Sequence, residues 1–401
     1  MERLLLNDNL LSYKTELQDE LEEILSWWMK NTPDPDYGGF LGKIGHDEVS
    51  HPEAPKGAVL NARILWSFAA GYNLTEYPEY LEYAHEAYEY IRAHFVDREQ
   101  GGVYWTVDFK GNPLDTKKQV YAIAFVIYAL SEYYQATKFE EARDLAVELY
   151  ETLEKHSFDP VRGGYFEAFN RDWTEIADLR LSDKDANEKK TMNTHLHVLE
   201  AYTNLYRIWK DEGLKKQILS LIADFTRYII DPESNHLILF MDEKWKPKSE
   251  SVSYGHDIEA AWLLLEAAEV TEEHALINKM KQYAVAMATA AEQGIGPDGG
   301  MWYERDPITN HTLKERHWWV QAEAMVGFFN AWQLSGEDRF LQQSLKTWEF
   351  VKLHILDTNQ GEWVWGIRED GTIMNEEDKA GLWKCPYHNS RACIELIKRI
   401  K

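Results

Sequence analysis

A short loop that joins glycine to aromatic residues recurs along this chain at intervals of 62 to 72 residues, and this repeat constrains the fold more than any other feature. Five copies are DYGGFLGKI (36–44), QGGVYWTVDFKG (100–111), RGGYFEAFNRDW (162–173), DGGMWYERDP (298–307) and QGEWVWGIREDG (360–371). A sixth segment, SNHLILFMDEKW (234–245), fills the remaining interval without the glycines. Such a period indicates a repeat architecture in which each unit holds one supersecondary motif. The chain therefore divides into six units.

Each unit contains two helical patterns separated by the glycine loop. The patterns before the loops have apolar residues at i, i+3 and i+4 and a charged opposite face, which predicts half-exposed helices over 13–30, 77–95, 139–156, 213–230, 272–291 and 337–355. The patterns after the loops are apolar on nearly every face except at their starts, which predicts buried helices over 57–72, 117–135, 190–209, 254–269, 316–334 and 386–400. Outer and inner helices therefore alternate.

Twelve helices in this alternation predict an all-α fold, an (α/α)6 barrel of six helical hairpins with short β-hairpin loops at one end. The alternative is an open solenoid, which needs polar capping units at both ends. Neither the first nor the last unit resembles a cap, so the closed barrel is favoured. No linker rich in Pro, Gly or Ser interrupts the series, and we expect a single domain over residues 1–401.

The charge of the chain restricts its partners. The formal net charge is −25, which disfavours nucleic acids, anionic membranes and anionic substrates, and favours a neutral small molecule. The N-terminal segment is dense in acidic residues and is typical of neither a signal peptide nor a membrane span. Two cysteines, Cys385 and Cys393, are too few for a disulfide framework. These features predict a cytoplasmic protein, a monomer or a weak homo-oligomer.

Polar residues recur at the starts of the inner helices, where a buried helix should have none. All six starts point to the same end of the barrel, so these residues should surround one cavity. They are Asn61, Arg63, Gln119, Tyr121, Asn193, His197, His256, Glu259, Trp318, Trp319, Glu323, Trp383 and His388. A single histidine or tryptophan here could be a packing residue, but matching positions in so many units indicate a functional site.

Three converging imidazoles suit proton transfer at carbon near neutral pH. A proton α to a carbonyl is the obvious target, as on C2 of an open-chain sugar, and Arg63 could stabilise the enolate. Two bases on opposite faces would invert C2, whereas one base could move the proton to C1 and form a ketose. Glu259 and Glu323 could orient an imidazole or the arginine. Metal catalysis is the alternative, but Cys385-x-x-His388 has no second half-site, so we expect no metal.

The segments NTHLHVLEAY (193–202), SYGHDIEAAWLL (253–264), RHWWVQAEAM (316–325) and WKCPYHNSR (383–391) carry a resemblance that extends over nearly the whole chain. The sequence resembles the N-acylglucosamine 2-epimerase superfamily, and within it the disaccharide-acting branch, the cellobiose 2-epimerases. The resemblance implies inversion of C2 of the reducing-end glucose of a β-1,4-linked disaccharide, such as cellobiose or lactose, after ring opening and without a metal or cofactor.

The same resemblance implies a role for each matching residue. His256 and His388 would be the acid/base pair on the two faces of C2, and His197 with Arg63 would hold the carbonyl and enolate oxygens. Contacts with the sugars would come from Tyr121, Asp185, Asn193, Glu259 and Trp319 at the reducing end and from Trp383 at the non-reducing end. Asp185 lies in the charged loop 174–190, where family members differ in ways that alter ketose formation.

Two rival functions belong to other classes. An inverting glycoside hydrolase needs two carboxylates about 6.5–9.5 Å apart across the scissile bond, whereas the helix starts here favour histidine. A non-catalytic sugar-binding protein would need aromatic residues and hydrogen-bonding groups, but not three converging imidazoles. A monosaccharide epimerase or an aldose–ketose isomerase is the nearer alternative.

Overall fold

The computed structural model of the chain describes residues 2–401, with side chains from residue 9 onward. Within this range twelve α-helices, numbered in chain order, alternate between two rings. The outer helices are α1 (Glu2–Asn31), α3 (Pro78–Tyr90), α5 (Glu140–His156), α7 (Glu212–Asp224), α9 (His274–Ala291) and α11 (Asp338–His354). The inner helices are α2 (Ala58–Thr75), α4 (Val120–Thr137), α6 (Met192–Ile208), α8 (Tyr254–Thr271), α10 (Trp318–Ser335) and α12 (Tyr387–Arg399). Every helix among these is too short or too polar to cross a lipid bilayer.

The inner helices form a closed ring. Each contacts the next in the order α2, α4, α6, α8, α10 and α12, and α12 packs back against α2. Helix α1 lies against α12, so the first and last units meet. The predicted (α/α)6 barrel is confirmed, and the open solenoid is excluded because its ends would not touch.

Short strands tie each unit to the next at one end of the barrel. The pairs are antiparallel: β1 (Lys56–Gly57) with β2 (Thr106–Val107), β4 (Lys118–Gln119) with β5 (Ala168–Phe169), β6 (Lys190–Thr191) with β7 (Phe240–Met241), β8 (Val252–Ser253) with β9 (Glu304–Asp306), and β11 (Arg316–His317) with β12 (Gly366–Ile367). Two further strands extend them, β3 (Pro113–Asp115) on β2 and β10 (His311–Leu313) on β9. A bridge between Ile44 and Ala380 joins the first unit to the last.

This pairing corrects the predicted starts of three inner helices. The segments predicted over 117–135, 190–209 and 316–334 contain strands β4, β6 and β11 at their starts, and the helices begin two or three residues later than predicted. The backbone groups there bond to the glycine loop of the following unit, so they are not available for the first helical turn. The strands fix where each inner helix enters the ring, and therefore where its first side chains lie.

The fourth loop keeps the shape of the others without their glycines. Gly101, Gly163 and Gly361 have φ of 77°, 76° and 85°, and Asn235 occupies the matching position with φ of 60°. Asparagine tolerates this left-handed conformation better than other side chains, which explains how this unit keeps the same turn.

A buried lysine fixes several of these loops to the strand that precedes an inner helix. Lys56, Lys118 and Lys190 have no exposed side-chain surface and lie 2.7, 2.8 and 2.9 Å from the carboxylates of Asp34, Asp97 and Asp159. The other oxygen of Asp159 accepts backbone N–H groups of its own loop, and Lys190 also donates to the Gly163 carbonyl at 2.6 Å. The ion pair therefore joins the loop to the start of α6.

We expect Lys190→Met to destabilise the protein by about 3–5 kcal/mol, because it leaves the buried Asp159 carboxylate without its counter-charge. Lys189→Met is the matched control, since the adjacent Lys189 is 40% exposed and lies 3.6 Å from an exposed carboxylate of Glu175. That substitution should change stability by less than about 1 kcal/mol. Urea unfolding of both variants measures the difference. Equal stability of the two variants would show that the ion pair does not stabilise the loop.

Candidate active site

The polar residues at the starts of the inner helices meet at the strand-bearing end of the barrel. Arg63 on α2 donates to the hydroxyl of Tyr121 on α4 at 2.8 Å. The Tyr121 ring lies 5.1 Å from that of His197 on α6 and 6.0 Å from that of Trp383, which precedes α12. One hydrogen bond and two contacts between rings therefore connect four of the predicted site residues, which come from separate units.

The predicted acid and base both lie close to one indole. Trp319 on α10 lies 4.8 Å from the ring of His256 on α8 and 5.7 Å from the ring of His388 on α12, between ring centroids. His256 and Trp319 are partly exposed, whereas His388 is buried, with 5% of its surface accessible. An indole face can hold the apolar face of a sugar, and here it would do so with two imidazoles nearby.

Two of the three imidazoles are held by carboxylates. His197 Nδ1 lies 2.8 Å from Glu200 Oε2, and His388 Nδ1 lies 2.7 Å from Glu323 Oε1. A carboxylate accepts, so in the neutral rings Nδ1 carries the proton and Nε2 has the free electron pair. His256 Nδ1 lies 2.7 Å from the Ser253 hydroxyl, which can donate or accept. The first two rings are therefore fixed in tautomer, and the third is fixed in direction.

All three imidazoles are neutral at pH 7. Burial is the largest cause and lowers the pKa of His256 to about 3, with the nearby His197 lowering it further. Burial also holds the pKa of His388 well below its usual value, and the charges of Arg63 and Arg391 act in the same direction. The pKa of His197 is lowered by burial, although Glu200 opposes the shift. A neutral imidazole can accept a proton, as a general base must.

Arg63 has the contacts of a cation that is available to a substrate. Its guanidinium lies 4.2 Å from the centroid of the Phe125 ring and 4.9 Å from that of Tyr387, and Nη1 lies 3.8 Å from the Cys385 sulfur. These partners are aromatic faces, a phenol and a thiol, none of which cancels its charge. These contacts include no carboxylate. The guanidinium of Arg63 therefore keeps its positive charge and can stabilise an oxyanion.

Glu259 and Glu323 are buried and share one partner. Each directs Oε1 to Nη2 of Arg391 at 2.6 Å, and Glu323 Oε2 also accepts from Trp262 Nε1 at 3.1 Å. Burial raises the pKa of Glu259 to about 8, and the neighbouring Glu323 raises it further. The predicted sugar contact of Glu259 stays a prediction, since its carboxylate is bonded to Arg391.

Glu259, Glu323 and His388 could in principle bind a metal ion. Their ligand atoms lie within 4.8 Å of one another. However, Arg391 donates to both carboxylates at the position that a cation would take, and His388 directs its Nδ1–H at Glu323. A site that already holds a guanidinium is a poor fit for a second cation, because the two charges would repel at contact distance.

The remaining predicted residues lie at the rim. Asn193 is partly exposed, and its Oδ1 has no hydrogen-bond partner among the described residues. Trp383 is partly exposed and lies 5.8 Å from the ring of Trp105. Asp185 accepts from the Ser182 N–H at 2.9 Å and from the Ser182 hydroxyl at 3.0 Å, within its own loop. The loop contacts of Asp185 neither support nor exclude its predicted role toward the sugar.

Sequence reasoning missed the residues that hold the imidazoles. Glu200 bonds to His197, Ser253 to His256, and Arg391 to three carboxylates, yet none had been assigned a role. Glu200 and Arg391 each lie three residues after a site histidine, which puts them on the same helix face. That spacing is the signal that could have identified them.

Comparisons with known proteins agree with this site. The family model described as N-acylglucosamine 2-epimerase matches residues 39–392. A cellobiose 2-epimerase of Bacteroides fragilis is 52% identical over 96% of this chain and 98% of its own length, and one of Dictyoglomus turgidum is 41% identical over the same shares. The solved cellobiose 2-epimerase of Bacillus thermoamylovorans B4167 superposes with a TM-score of 0.93, at 41% identity, over 97% of this chain and 99% of that one. This chain belongs to the N-acylglucosamine 2-epimerase family.

Proposed function

We propose that this protein is a cellobiose 2-epimerase that interconverts glucose and mannose at the reducing end of β-1,4-linked disaccharides. The observation that carries the proposal is the pair of neutral imidazoles, His256 and His388, whose ring centroids lie 4.8 and 5.7 Å from that of the Trp319 indole. The relatives named above, which cover nearly the whole chain, carry this activity in their names.

The proposed reaction begins with an opened reducing-end sugar whose C1 is an aldehyde. One imidazole removes the C2 proton, the electron pair of the C–H bond forms the C1=C2 double bond, and the π electrons of the carbonyl move to its oxygen to give the enolate. Arg63 and His197 stabilise that oxygen by charge and hydrogen bonding. The second imidazole, neutral in the unliganded protein, takes up a proton from solvent once the enolate has formed and delivers it to the opposite face of C2, and the first imidazole releases its proton to solvent. The configuration at C2 inverts, and the glycosidic bond is not involved.

The second sugar would be bound at the rim. Trp383 presents a partly exposed indole next to Tyr121, and the buried indole of Trp105 lies 5.8 Å from that of Trp383. Indole faces stack well on the apolar face of a pyranose ring. We therefore assign the non-reducing sugar to Trp383, and the reducing-end sugar to Trp319 with Asn193, Tyr121, Glu259 and Asp185.

The geometry disfavours glycoside hydrolysis. An inverting hydrolase leaves about 6.5–9.5 Å between its carboxyl groups so that a water molecule fits. Here Glu259 and Glu323 bind the same guanidinium nitrogen, each at 2.6 Å. A water and a glycosidic oxygen cannot be placed between them.

The test is incubation of the enzyme with cellobiose in D2O, followed by NMR of the products. We expect the intact disaccharide with mannose at its reducing end and deuterium at C2. Free glucose would indicate hydrolysis, and a ketose disaccharide without a mannosyl product would indicate an isomerase. Treatment with EDTA should leave the rate unchanged, since the cation position between the carboxylates belongs to Arg391.

We further propose a single catalytic domain over residues 1–401 that acts in the cytoplasm as a monomer or weak homo-oligomer, without a cofactor and without nucleic-acid or membrane partners. Cys385 and Cys393 are buried free thiols, which suits a reducing compartment. The net charge of −25 supports a neutral small-molecule substrate.

A further inference from the structure

One buried guanidinium lies where four inner helices meet. Arg391, on α12, has 1% of its surface exposed. Its Nη1 donates to Glu200 Oε1 on α6 and to the Tyr387 hydroxyl, and its Nη2 donates to Glu259 on α8 and Glu323 on α10 at 2.6 Å each. The two ends of one planar group therefore contact opposite sides of the site.

Two of those carboxylates also hold the site histidines. Glu200 binds Arg391 through Oε1 and His197 through Oε2, and the Tyr387 hydroxyl donates to Oε1 at 2.5 Å. Glu323 Oε1 accepts from both Arg391 and His388. A displacement of the guanidinium would therefore move the acceptors of two imidazoles at once.

Arg391 also affects the charges of Glu200, Glu259 and Glu323. Burial alone would raise the pKa of Glu200, but Arg391 and the His197 hydrogen bond lower it to about 2. Burial raises the pKa values of both Glu259 and Glu323, that of Glu259 to about 8. One guanidinium cannot neutralise three carboxylates, so a proton on the Glu259–Glu323 pair reduces the excess negative charge.

We propose that Arg391 is a positioning residue for the reaction, whose planar fork sets the direction and tautomer of His197 and His388 together through Glu200 and Glu323. The inference rests on the proposed function, since the two imidazoles act on the substrate only there. The fork is essential because Nη1 and Nη2 bind different carboxylates, an arrangement that a single ammonium group cannot reproduce.

A purely structural role for Arg391 makes different predictions. If Arg391 only joined helices, its replacement would lower stability and leave the imidazoles of the folded enzyme unchanged. If it positions the imidazoles, the lysine variant should keep its substrate affinity and lose turnover, since a misplacement of about 1 Å can cost about 100-fold in rate. The split between kcat and KM separates the two roles.

The experiment compares Arg391→Lys with the wild type, using cellobiose epimerisation and ¹⁵N NMR of the histidine rings in the unliganded protein. We expect kcat to fall by about 100-fold with KM changed less than about threefold. In the wild type His197 and His388 should show protonated Nδ1 and unprotonated Nε2, and in the variant both should show mixed tautomers. Arg399→Met is the matched control, because Arg399 is a guanidinium on the same helix that bonds to Asn330 and Gln333. It should keep wild-type turnover.

A second variant, Arg391→Met, tests the charge. The positive charge of Arg391 lowers the pKa of both imidazoles, in addition to the larger effect of burial. Its removal should raise these pKa values, and the acid limb of the kcat/KM profile should move to higher pH because the bases must be neutral. If Arg391→Met does not fold, the turnover and ring tautomers of Arg391→Lys test the inference on their own.

Wild-type turnover or unchanged ring tautomers in Arg391→Lys would overturn the inference. If the wild-type enzyme did not epimerise cellobiose, the proposed function would fail instead. The ring tautomers would still be measurable in that case, so the two failures can be distinguished.

Discussion

His256→Ala and His388→Ala should each stop 2-epimerisation, with kcat/KM lower than in the wild type by about 10²- to 10⁴-fold, the usual contribution of a general acid or base. Inversion at C2 needs proton removal at one face and proton return at the other. Each variant keeps an imidazole at one face only. We therefore expect residual deuterium exchange into C2 of cellobiose in D2O, without the mannosyl product.

The retained exchange distinguishes a missing base from a collapsed site. His274→Ala is the matched control, because His274 is exposed at the start of α9 and far from the ring of inner-helix starts in the fold. It should epimerise at the wild-type rate. If either site variant kept near-normal epimerisation, the assignment of two bases would be wrong, and a single histidine would have to serve both faces.

The fold was predictable from sequence because the repeat determines how many helical hairpins there are and where each one turns. Glycine at positions such as Gly101 and Gly163 marks a turn that needs positive φ, and the helical patterns on either side follow from periodicity alone. The strand pairs were not predictable. Segments such as Lys118–Gln119 are two residues long, and their partners lie in the next unit, about fifty residues away along the chain.

The residues of the site were predictable from the sequence, but the hydrogen bonds between them were not. Histidines at matching helix starts could be placed at one end of the barrel by topology. Which side chain receives each Nδ1 proton depends on distances between helices, and Glu323 reaches His388 from a different unit. The role of Arg391 is even harder to predict from the sequence, since its three carboxylate partners lie on three other helices.

The three imidazoles also differ in a way that the sequence does not show. His388 and His197 are held by carboxylates, whereas His256 is held by the Ser253 hydroxyl. A carboxylate stabilises an imidazolium more than a hydroxyl does. Loss of the carboxylate that holds His388 should therefore lower the activity strongly.

Glu323→Gln is expected to lower kcat by about 10³- to 10⁴-fold, comparable to replacing the aspartate that orients the histidine of a serine protease triad. Glu323 accepts from three donors: His388 Nδ1 at 2.7 Å, Arg391 Nη2 at 2.6 Å and Trp262 Nε1 at 3.1 Å. A carboxylate can accept at both oxygens, whereas an amide accepts at one and donates at the other. No orientation of glutamine satisfies all three donors.

Both orientations of the amide weaken His388 as a base. His388 and Arg391 share Oε1, so a glutamine oxygen at that position keeps both donors but removes the negative charge that stabilises the imidazolium, and Trp262 Nε1–H then faces the amide NH2 group. The opposite orientation places the NH2 group against the Arg391 donor and requires His388 to accept at Nδ1, so that Nε2 carries the proton. Glu266→Gln is the matched control, because Glu266 lies on α8 two turns after Glu259 and forms a partly exposed ion pair with Arg207. Retained turnover in Glu323→Gln would show that the carboxylate does not set the base.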